Sequence, residues 1–274
     1  MRLVSYLQDG QIRVGLREGP TVHEIADAAI QSPLDAIAAK TPARGRSHAL
    51  ASLQLLPPIP NPGKIICIGL NYADHAKEGG NPIPTYPAIF LRTTTSLVAH
   101  GQPMLRPTCS EQLDYEAELA IVIGRRAKNV SEAAALSHVA GYACFNDGSV
   151  RDYQRKSSQW TVGKNFDSTG AFGPDLVTPD ELPSGAHGLR VVSRLNGQLM
   201  QNGTTADMIF PVARTIAIIA ATMTLEPGDV IITGTPAGVG YARKPPVFMK
   251  PGDVCEVEIE GIGILSNPIA DAPA

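Results

Sequence analysis

The sequence predicts a β-rich α+β fold, a roll or sandwich with helices at its periphery. Most of the apolar runs have the length of a strand. The counts of 26 glycines and 23 prolines in 274 residues indicate many turns. The few helical patterns do not alternate with strands in a β-α-β rhythm, so a doubly wound parallel sheet is not expected.

The first 60 residues predict a small β unit. The segments MRLVSYLQ and QIRVGLRE flank Asp9-Gly10, a dipeptide typical of a type I′ hairpin turn. Two short helices are expected to follow, over residues 28–40 and 47–56. The unit therefore begins with a hairpin and ends with helices.

A proline-rich stretch, PPIPNPG, separates this unit from the rest of the chain at residues 57–63. Four prolines in seven residues cannot form a regular element. We predict a small N-terminal domain over 1–60 and a larger domain over 61–274. The strands predicted in the larger domain are 64–69, 87–92, 113–124, 140–146, 189–196, 228–234 and 252–260, and its helices are 71–79, 131–138 and 208–223.

Composition excludes several classes of protein. A hydrophobic fraction of 43% with 18% charged residues suits a globular core and argues against disorder. A formal net charge of −3 does not favour binding to nucleic acid or to an anionic membrane. The apolar stretch 209–225 contains a proline and an arginine, and it predicts a buried helix rather than a membrane span. The N-terminus lacks the long apolar core of a signal peptide.

The four cysteines are widely spaced, with no CxxC motif, and they predict reduced, mostly buried thiols. They are Cys67, Cys109, Cys144 and Cys255. Reduced thiols are typical of a cytoplasmic protein, which is the location we expect.

The segment LDYEAELAIVIG carries three carboxylates at alternate positions. In a strand, Asp114, Glu116 and Glu118 point to the same face. Burying them is costly unless a cation compensates their charge, and hard cations such as Mg²⁺, Mn²⁺ or Ca²⁺ prefer oxygen ligands. A solvated acidic face is the alternative, and this segment alone favours that alternative.

A second segment, CFNDGSVRDYQ, shifts the balance towards a metal site. If the chain turns helical after Asp147, then Asp147, Arg151 and Gln154 lie at i, i+4 and i+7 on one face. They would aim a carboxylate, a guanidinium and an amide into one cavity. A simple turn followed by a surface helix explains Asp147 alone, but it explains the three residues together less well.

Two further segments offer proton-transfer groups. In GLNYADHAKEGG, Asn71 and Asp74 can cap a helix that places His75 and Glu78 side by side, which suits a general base. An exposed His–Glu pair is the alternative, and it is favoured without further context. Lys164 lies in an apolar, glycine-rich stretch, WTVGKNFDSTG, and is a candidate for binding an anionic intermediate.

The glycine-rich loop GTPAGVG follows a predicted strand at residues 234–240. It lacks the Gly-Lys-Ser/Thr ending of a P-loop and does not open a helix, so no nucleotide cofactor is expected. Instead, the amides of the loop and the hydroxyl of Thr235 could contact a carboxylate.

These motifs together resemble the fumarylacetoacetate hydrolase family. The resemblance is ordered, spans residues 60–268, and rests on the segments GLNYADHAKE, LDYEAELAIVIG, FNDGSVRDYQ, QWTVGKNFD, GPDLVT, LNGQ, TADMIF, LEPGDVIITGTPAGVG and KPGDVCEVEIEGIG. It implies a mixed β-sandwich roll with a small N-terminal β unit, a homodimer, and a bound divalent metal, Mg²⁺ or Mn²⁺ with Ca²⁺ as an option.

The resemblance also implies roles for individual residues. The metal ligands would be Glu116, Glu118 and Asp147, with Asp114 a neighbour rather than a ligand. The catalytic groups would be Lys164 and the lid pair His75 and Glu78. The substrate-binding residues would be Arg151, Gln154, Thr235 and Gly234.

The activity expected first is hydrolysis of a C–C bond in a small 2,4-dioxo acid, such as an acylpyruvate, to give pyruvate and a carboxylic acid. The alternative on the same metal site is a decarboxylase, isomerase or tautomerase of an oxo-acid such as oxaloacetate. A non-catalytic protein that binds metal and a dicarboxylate is a further alternative. Tyr86, Arg243 and Lys244 are candidates for reading a distal acid group of the substrate.

Overall fold

A computed structural model describes residues 1–273 of the chain. Its strands are β1 Arg2–Gln8, β2 Gln11–Glu18, β3 Thr21–Ile25, β4 Arg44–Ala49, β5 Gln54–Leu56, β6 Ile65–Gly69, β7 Ala88–Arg92, β8 Leu97–Ala99, β9 Met104–Arg106, β10 Leu113–Asp114, β11 Ala117–Ile123, β12 Val139–Asp147, β13 Ser149–Val150, β14 Gly170–Val177, β15 Arg190–Leu195, β16 Gln198–Thr204, β17 Val230–Ile232, β18 Val254–Ile259 and β19 Gly263–Asp271. Its α-helices are α1 Pro33–Ala38, α2 Ala73–Glu78, α3 Glu132–Ala135, α4 Arg151–Gln154, α5 Thr161–Lys164 and α6 Val212–Thr222.

The strands form three sheets of twelve, five and two strands. The largest follows the order β4-β3-β2-β1-β14-β12-β11-β17-β6-β7, with β5 added to β1 and β8 added to β14. The second follows the order β16-β15-β18-β19-β9, and β10 pairs with β13. Most pairs are antiparallel, but β17–β6, β14–β8 and β19–β9 are parallel. The predicted β-rich mixed fold is confirmed.

The central strands of the large sheet are buried on both faces. Along β11, Leu119 and Ile121 pack into one hydrophobic cluster, while Ala120 and Val122 pack into a second on the opposite side. A strand buried on both faces reads as a continuous apolar run, which is what the sequence AELAIVI shows after its single glutamate. The carboxylates of the candidate site lie at the ends of these buried strands.

The N-terminal hairpin forms as predicted, and Asp9 and Gly10 both have positive φ angles of 50° and 73°, as a type I′ turn requires. The unit does not form a sheet of its own, because β1 pairs with β14 of the large sheet. The helix expected over 28–40 shortens to α1, which begins at the capping box of Ser32 and Asp35.

The helix predicted over 47–56 is wrong. That segment holds the end of β4, a short 3₁₀ turn and β5. Backbone pairing of β4 with β3 and of β5 with β1 outweighs its helix propensity. Leu55 anchors β5 in a small cluster with Val4, Tyr6 and Val22.

Beyond residue 60 every predicted strand exists, with ends shifted by a few residues, except that the 113–124 strand is interrupted at 115–116. The helix predicted over 208–223 is α6, which buries Ile216 and Ile219. Across residues 1–273, no helix has both the length and the apolar character needed to cross a bilayer. The four thiols are free, and only Cys109 is exposed.

Candidate active site

The candidate site is a cavity at one end of the large sheet, where β6, β12 and β17 end and β11 begins. Its volume is about 340 Å³. The walls include α4, the end of α5 and part of α2. The residues lining it that carry charge or titrate are His75, Glu116, Glu118, Asp147, Arg151, Arg155, Lys164 and Tyr241.

Three buried carboxylates meet in this cavity. Ligand oxygens of Glu116, Glu118 and Asp147 lie within 4.8 Å of one another. Antiparallel pairing brings them together, because β11 runs beside β12 and the amide of Asp147 donates to the carbonyl of Glu116 at 2.9 Å. The acidic face is therefore not solvated, and the alternative that strand alternation alone favoured is wrong.

Asp114 leaves this cluster, because the strand breaks between β10 and β11. Its carboxylate accepts hydrogen bonds from the amides of Gly240 and Tyr241, at 2.8 and 2.9 Å, and from Nε of Arg151 at 2.8 Å. It thus ties the loop after the glycine-rich segment to α4. Asp114 is thus a neighbour of the three converging carboxylates and not one of them.

Lys164 lies between two of the three carboxylates. Its Nζ is 2.7 Å from Oε2 of Glu116 and 2.5 Å from Oδ2 of Asp147. Burial opposes the charge on Lys164, but the carboxylates of Asp147 and Glu116 outweigh burial and raise its pKa. Gly163 permits this placement, since a Cβ there would lie 2.4 Å from the amide nitrogen of Gln154.

Arg92 is a residue that the sequence reasoning missed. It ends β7 with a fully buried guanidinium whose Nη1 is 2.5 Å from Oδ1 of Asp147. The same group donates to Thr169 at 2.8 Å and to Ser96 at 3.2 Å. An arginine at the end of an otherwise apolar strand, AIFLR, was the available signal.

Glu118 has an environment unlike that of its neighbours. Its Oε2 accepts from the amide of Gly234 at 2.5 Å, but within residues 1–273 it has no cationic partner at ion-pair distance. Burial raises its pKa well above the usual range, and the charges of Asp147 and Glu116 raise it further. Lys164 and Arg151, by contrast, more than offset the burial of Glu116 and hold its pKa well below the usual range.

These observations fit a divalent cation. The three carboxylates are buried and converge, and Glu118 lacks the positive charge that its burial requires. A set of carboxylate oxygens suits a hard ion, and not zinc held by cysteine or histidine. The acidic triad can therefore hold a metal ion.

Arg151 and Gln154 reach the cavity, but not from the helix that was predicted. Asp147 ends a strand, a turn and β13 follow, and only 151–154 are helical. Nη1 of Arg151 is 2.9 Å from Oε1 of Gln154 and 2.7 Å from Oε1 of Glu116. Its Nη2 is buried and finds no hydrogen-bond partner in the part of the chain that the structure describes. An N–H group is thus available to a ligand.

His75 and Glu78 form the expected pair on α2. Nδ1 of His75 is 3.4 Å from Oε2 of Glu78, and both carboxylate oxygens of Glu78 accept from the amide of Gly238, at 3.0 and 3.1 Å. Because an ionised carboxylate can only accept, Nδ1 donates this hydrogen bond, and in the neutral imidazole Nε2 then carries the lone pair. His75 is 7% exposed and lines the cavity, so it is not a solvated surface residue.

The predicted cap of α2 is wrong. The cap position is Tyr72, and no side chain caps the helix. Asn71 is instead buried, donating to the carbonyls of Phe210 and Thr233 and accepting from the amide of Phe210. The isolated motif looked like a helix start, but tertiary contacts with the start of α6 use the asparagine differently.

Gly234 and Thr235 also line the cavity. The hydroxyl of Thr235 donates to the carbonyl of Ala117 at 2.9 Å and accepts from Nε2 of Gln201 at 2.7 Å. Among the candidates for a distal acid, Arg243 is committed elsewhere, since it donates to the carbonyls of Met200 and Gly238 and to Tyr115. Arg243, Tyr86 and Lys244 do not line this cavity.

Comparison with known proteins identifies the family. A family model described as fumarylacetoacetate (FAA) hydrolase C-terminal matches residues 64–270, and one described as Rv2993c-like, N-terminal matches residues 1–58. The chain is 45% identical over 248 residues to "Oxaloacetate tautomerase fahd2, mitochondrial" of Xenopus laevis, which covers 90% of this chain and 76% of that protein. 

Solved structures show the same fold. The fumarylacetoacetate hydrolase of Exiguobacterium antarcticum superposes with a TM-score of 0.85 at 36% identity and covers 99% of this chain and 100% of its own. The 2-hydroxyhepta-2,4-diene-1,7-dioate isomerase of Mycobacterium marinum superposes with a TM-score of 0.81 at 36% identity over 100% of both chains. The chain belongs to the fumarylacetoacetate hydrolase family.

Proposed function

We propose that this protein is a metal-dependent enzyme that interconverts the enol and keto forms of a small oxo-acid such as oxaloacetate. The observation that carries the proposal is the 45% identity to an oxaloacetate tautomerase over 90% of this chain. The site supports it with a buried carboxylate triad and a His–Glu pair on one cavity. Hydrolysis, the activity expected first from the sequence, has weaker support.

Glu116, Glu118 and Asp147 would hold the metal ion, which we propose to be Mg²⁺ or Mn²⁺. When bound, such an ion polarises the oxo group and stabilises the negative charge of an enolate. Lys164 and Arg92 keep the triad from carrying three uncompensated negative charges before the ion arrives. They also fix the rotamers of Glu116 and Asp147, so that the ligand oxygens are already oriented.

Arg151 binds the acid end of the substrate in this scheme. Its Nε and Nη1 are held by Asp114, Glu116 and Gln154, and this leaves the unpartnered Nη2 for a substrate carboxylate. A guanidinium fixed at two of its nitrogens loses little freedom when a ligand binds to the third. The residue thus sets the orientation of the oxo-acid.

His75 moves the proton between carbon and oxygen. Its Nε2 lone pair accepts the C3 proton of the keto form, and the resulting imidazolium returns a proton to the enolate oxygen, giving the enol with no net change in protons. Glu78 stabilises the charged imidazole, and the amide of Gly238 holds Glu78 in place. The reverse sequence converts enol to keto.

The test follows the ultraviolet absorbance of the oxaloacetate enol after dilution into buffer. Protein loaded with Mg²⁺ should accelerate the decay of the enol, and both EDTA and Glu116→Gln should remove the acceleration. Pyruvate is measured in the same samples, because its appearance would report decarboxylation instead. If the enol decays in the presence of metal-loaded protein no faster than in buffer alone, the proposal is excluded.

A second candidate is hydrolysis of a C–C bond in an acylpyruvate. The likeness to the Exiguobacterium antarcticum hydrolase favours it, and so does the His75–Glu78 pair, which could activate water as readily as it moves a proton. Acetylpyruvate separates the two activities, since hydrolysis yields pyruvate and acetate and tautomerisation yields neither. The homodimer and the cytoplasmic location expected from the sequence remain predictions.

A further inference from the structure

Arg155 lies at the solvent edge of the cavity, beside the aromatic ring of Tyr241, which Arg151 also contacts. It follows α4 directly, lines the cavity and is exposed. Its Cζ lies 4.7 Å from the centre of the Tyr241 ring, and Cζ of Arg151 lies 4.5 Å from the same centre. Two guanidinium groups therefore meet one aromatic side chain, one buried and one at the solvent edge.

Arg155 differs from the other cationic side chains in and beside the cavity in what it contacts. Arg92, Arg151 and Lys164 each form ion pairs with buried carboxylates. Over residues 1–273, Arg155 has no carboxylate at ion-pair distance and no side-chain hydrogen bond, and its guanidinium is held by the Tyr241 ring. A cation held in place but unpaired at a binding cavity is suited to an anionic ligand.

Backbone hydrogen bonds hold both residues of the contact between Arg155 and Tyr241. The amide of Tyr241 donates to Asp114 at 2.9 Å, and the amide of Arg155 donates to the carbonyl of Arg151 at 3.2 Å. Asp114 also holds Arg151, so one buried carboxylate positions the ring and the inner guanidinium together. The fold therefore fixes the Arg151 guanidinium and the backbone of Tyr241 and Arg155, and the Arg155 guanidinium contacts the ring between them.

We propose that Arg155 binds the second carboxylate of a dicarboxylic oxo-acid and so selects dicarboxylates over monocarboxylates. The first carboxylate would lie deeper, at Nη2 of Arg151 and beside the metal ion that the acidic triad would hold. The identity of the substrate rests on the proposed function, but the recognition of a distal carboxylate does not. Arg155 would take the role for which Arg243 was a candidate, since Arg243 does not line the cavity and donates to the carbonyl of Met200.

Binding can be measured without turnover by calorimetry with two unreactive probes on Mg²⁺-loaded protein. (S)-malate and (S)-2-hydroxybutanoate share one acid end and differ in a terminal carboxylate against a methyl group. The unaltered protein should bind malate about tenfold more tightly, and Arg155→Gln should bring the two dissociation constants together.

Lys156→Gln is the matched control. It removes the same charge one position away, from a side chain that packs over Tyr153 and does not line the cavity. It should leave the preference for malate unchanged. The proposal is overturned if Arg155→Gln keeps the preference, or if both variants lose it equally, since that would report only the general charge of the surface.

Turnover gives an independent reading. With oxaloacetate as substrate, Arg155→Gln should raise KM about tenfold with little change in kcat. The 4-methyl ester of oxaloacetate lacks the second carboxylate, so the unaltered protein and the variant should turn it over equally well. If the protein does not accelerate tautomerisation but the malate preference still depends on Arg155, the tautomerase proposal fails and the carboxylate site stands.

Discussion

Nη1 of Arg92 lies 2.5 Å from Oδ1 of Asp147, and neither side chain is accessible to solvent beyond 1%. Lys164 contacts the other oxygen of the same carboxylate at 2.5 Å. Asp147 is thus clamped between two cations from two different elements, β7 and α5. The clamp explains how a carboxylate can be buried at the end of a strand before any metal ion binds.

Replacing Arg92 with leucine should destabilise the metal-free protein by about 3 to 5 kcal/mol, because it leaves a buried charge with one partner fewer. Added Mn²⁺ should recover part of this loss, since the ion replaces the missing positive charge. Urea unfolding with and without Mn²⁺ measures both effects. Arg126→Leu, which breaks an exposed pair with Glu226, is the control and should cost less than about 1 kcal/mol. Equal effects of the two variants would contradict the prediction.

Glu118→Gln should stabilise the metal-free protein and remove the stabilisation that added metal gives. In metal-free protein the change should raise the free energy of unfolding by about 1 to 3 kcal/mol, since it removes a buried carboxylate that lacks a cation. At an Mn²⁺ concentration of about 100 Kd the unaltered protein should gain about 2.7 kcal/mol, and the variant should not. Thermal melts give both values, with exposed Glu111→Gln as the control. A variant that is less stable in both conditions would show that Glu118 is structural.

His75→Ala should lower kcat for the enol–keto reaction by about 10²- to 10⁴-fold while metal affinity is kept. Glu78→Gln should cause a smaller loss, because it removes only the charge that supports the imidazole. Lys77→Ala, on the same helix with an exposed side chain, should retain full activity. Loss of hydrolysis of acetylpyruvate without loss of tautomerisation would assign the pair to water activation instead.

The response of stability to pH should depend on His100. Its Nδ1 accepts from the amide of Ser266 at 3.0 Å, and burial, with a smaller effect of Arg17, lowers its pKa. Because the unfolded chain then binds the proton more tightly, stability should fall as the pH drops below about 6.5, the ordinary value for histidine. His100→Gln should flatten this part of the profile of unfolding free energy against pH. An identical slope in both proteins would exclude the effect.

The sequence predicted the strands best where hydrophobic pattern and turn chemistry agree. Asp9-Gly10 forms the predicted hairpin turn, with both residues at positive φ. It failed over residues 47–56, where pairing with β1 and β3 decides the structure, and it gave no strand for 170–177, because GAFGPDLV combines two glycines and a proline with its apolar residues. Non-local pairing of this kind leaves little trace in local propensity.

The sequence predicted which residues form the candidate site better than it predicted how they are arranged. The residues named as metal ligands do converge, but Asp147 and Arg151 come together through a turn and a second short strand rather than along one helix. Arg92 and Arg155 were not predicted, because an isolated arginine forms no repeating sequence pattern that would place it at the site. Their positions relative to Asp147 and Tyr241 depend on how distant segments pack.

The pairing of β1 with β14 joins the N-terminal unit to the large sheet. Leu3 lies opposite Leu176 on β14, which also pairs with β8 and with β12, the strand that ends at Asp147. Because β8 already pairs with residues 170–172, a chain shortened to begin near residue 64 would bare the backbone only at the end of β14, at Leu176 and Val177, an open edge prone to pairing with other molecules. The first unit thus covers the end of the strand that lies beside the one carrying Asp147.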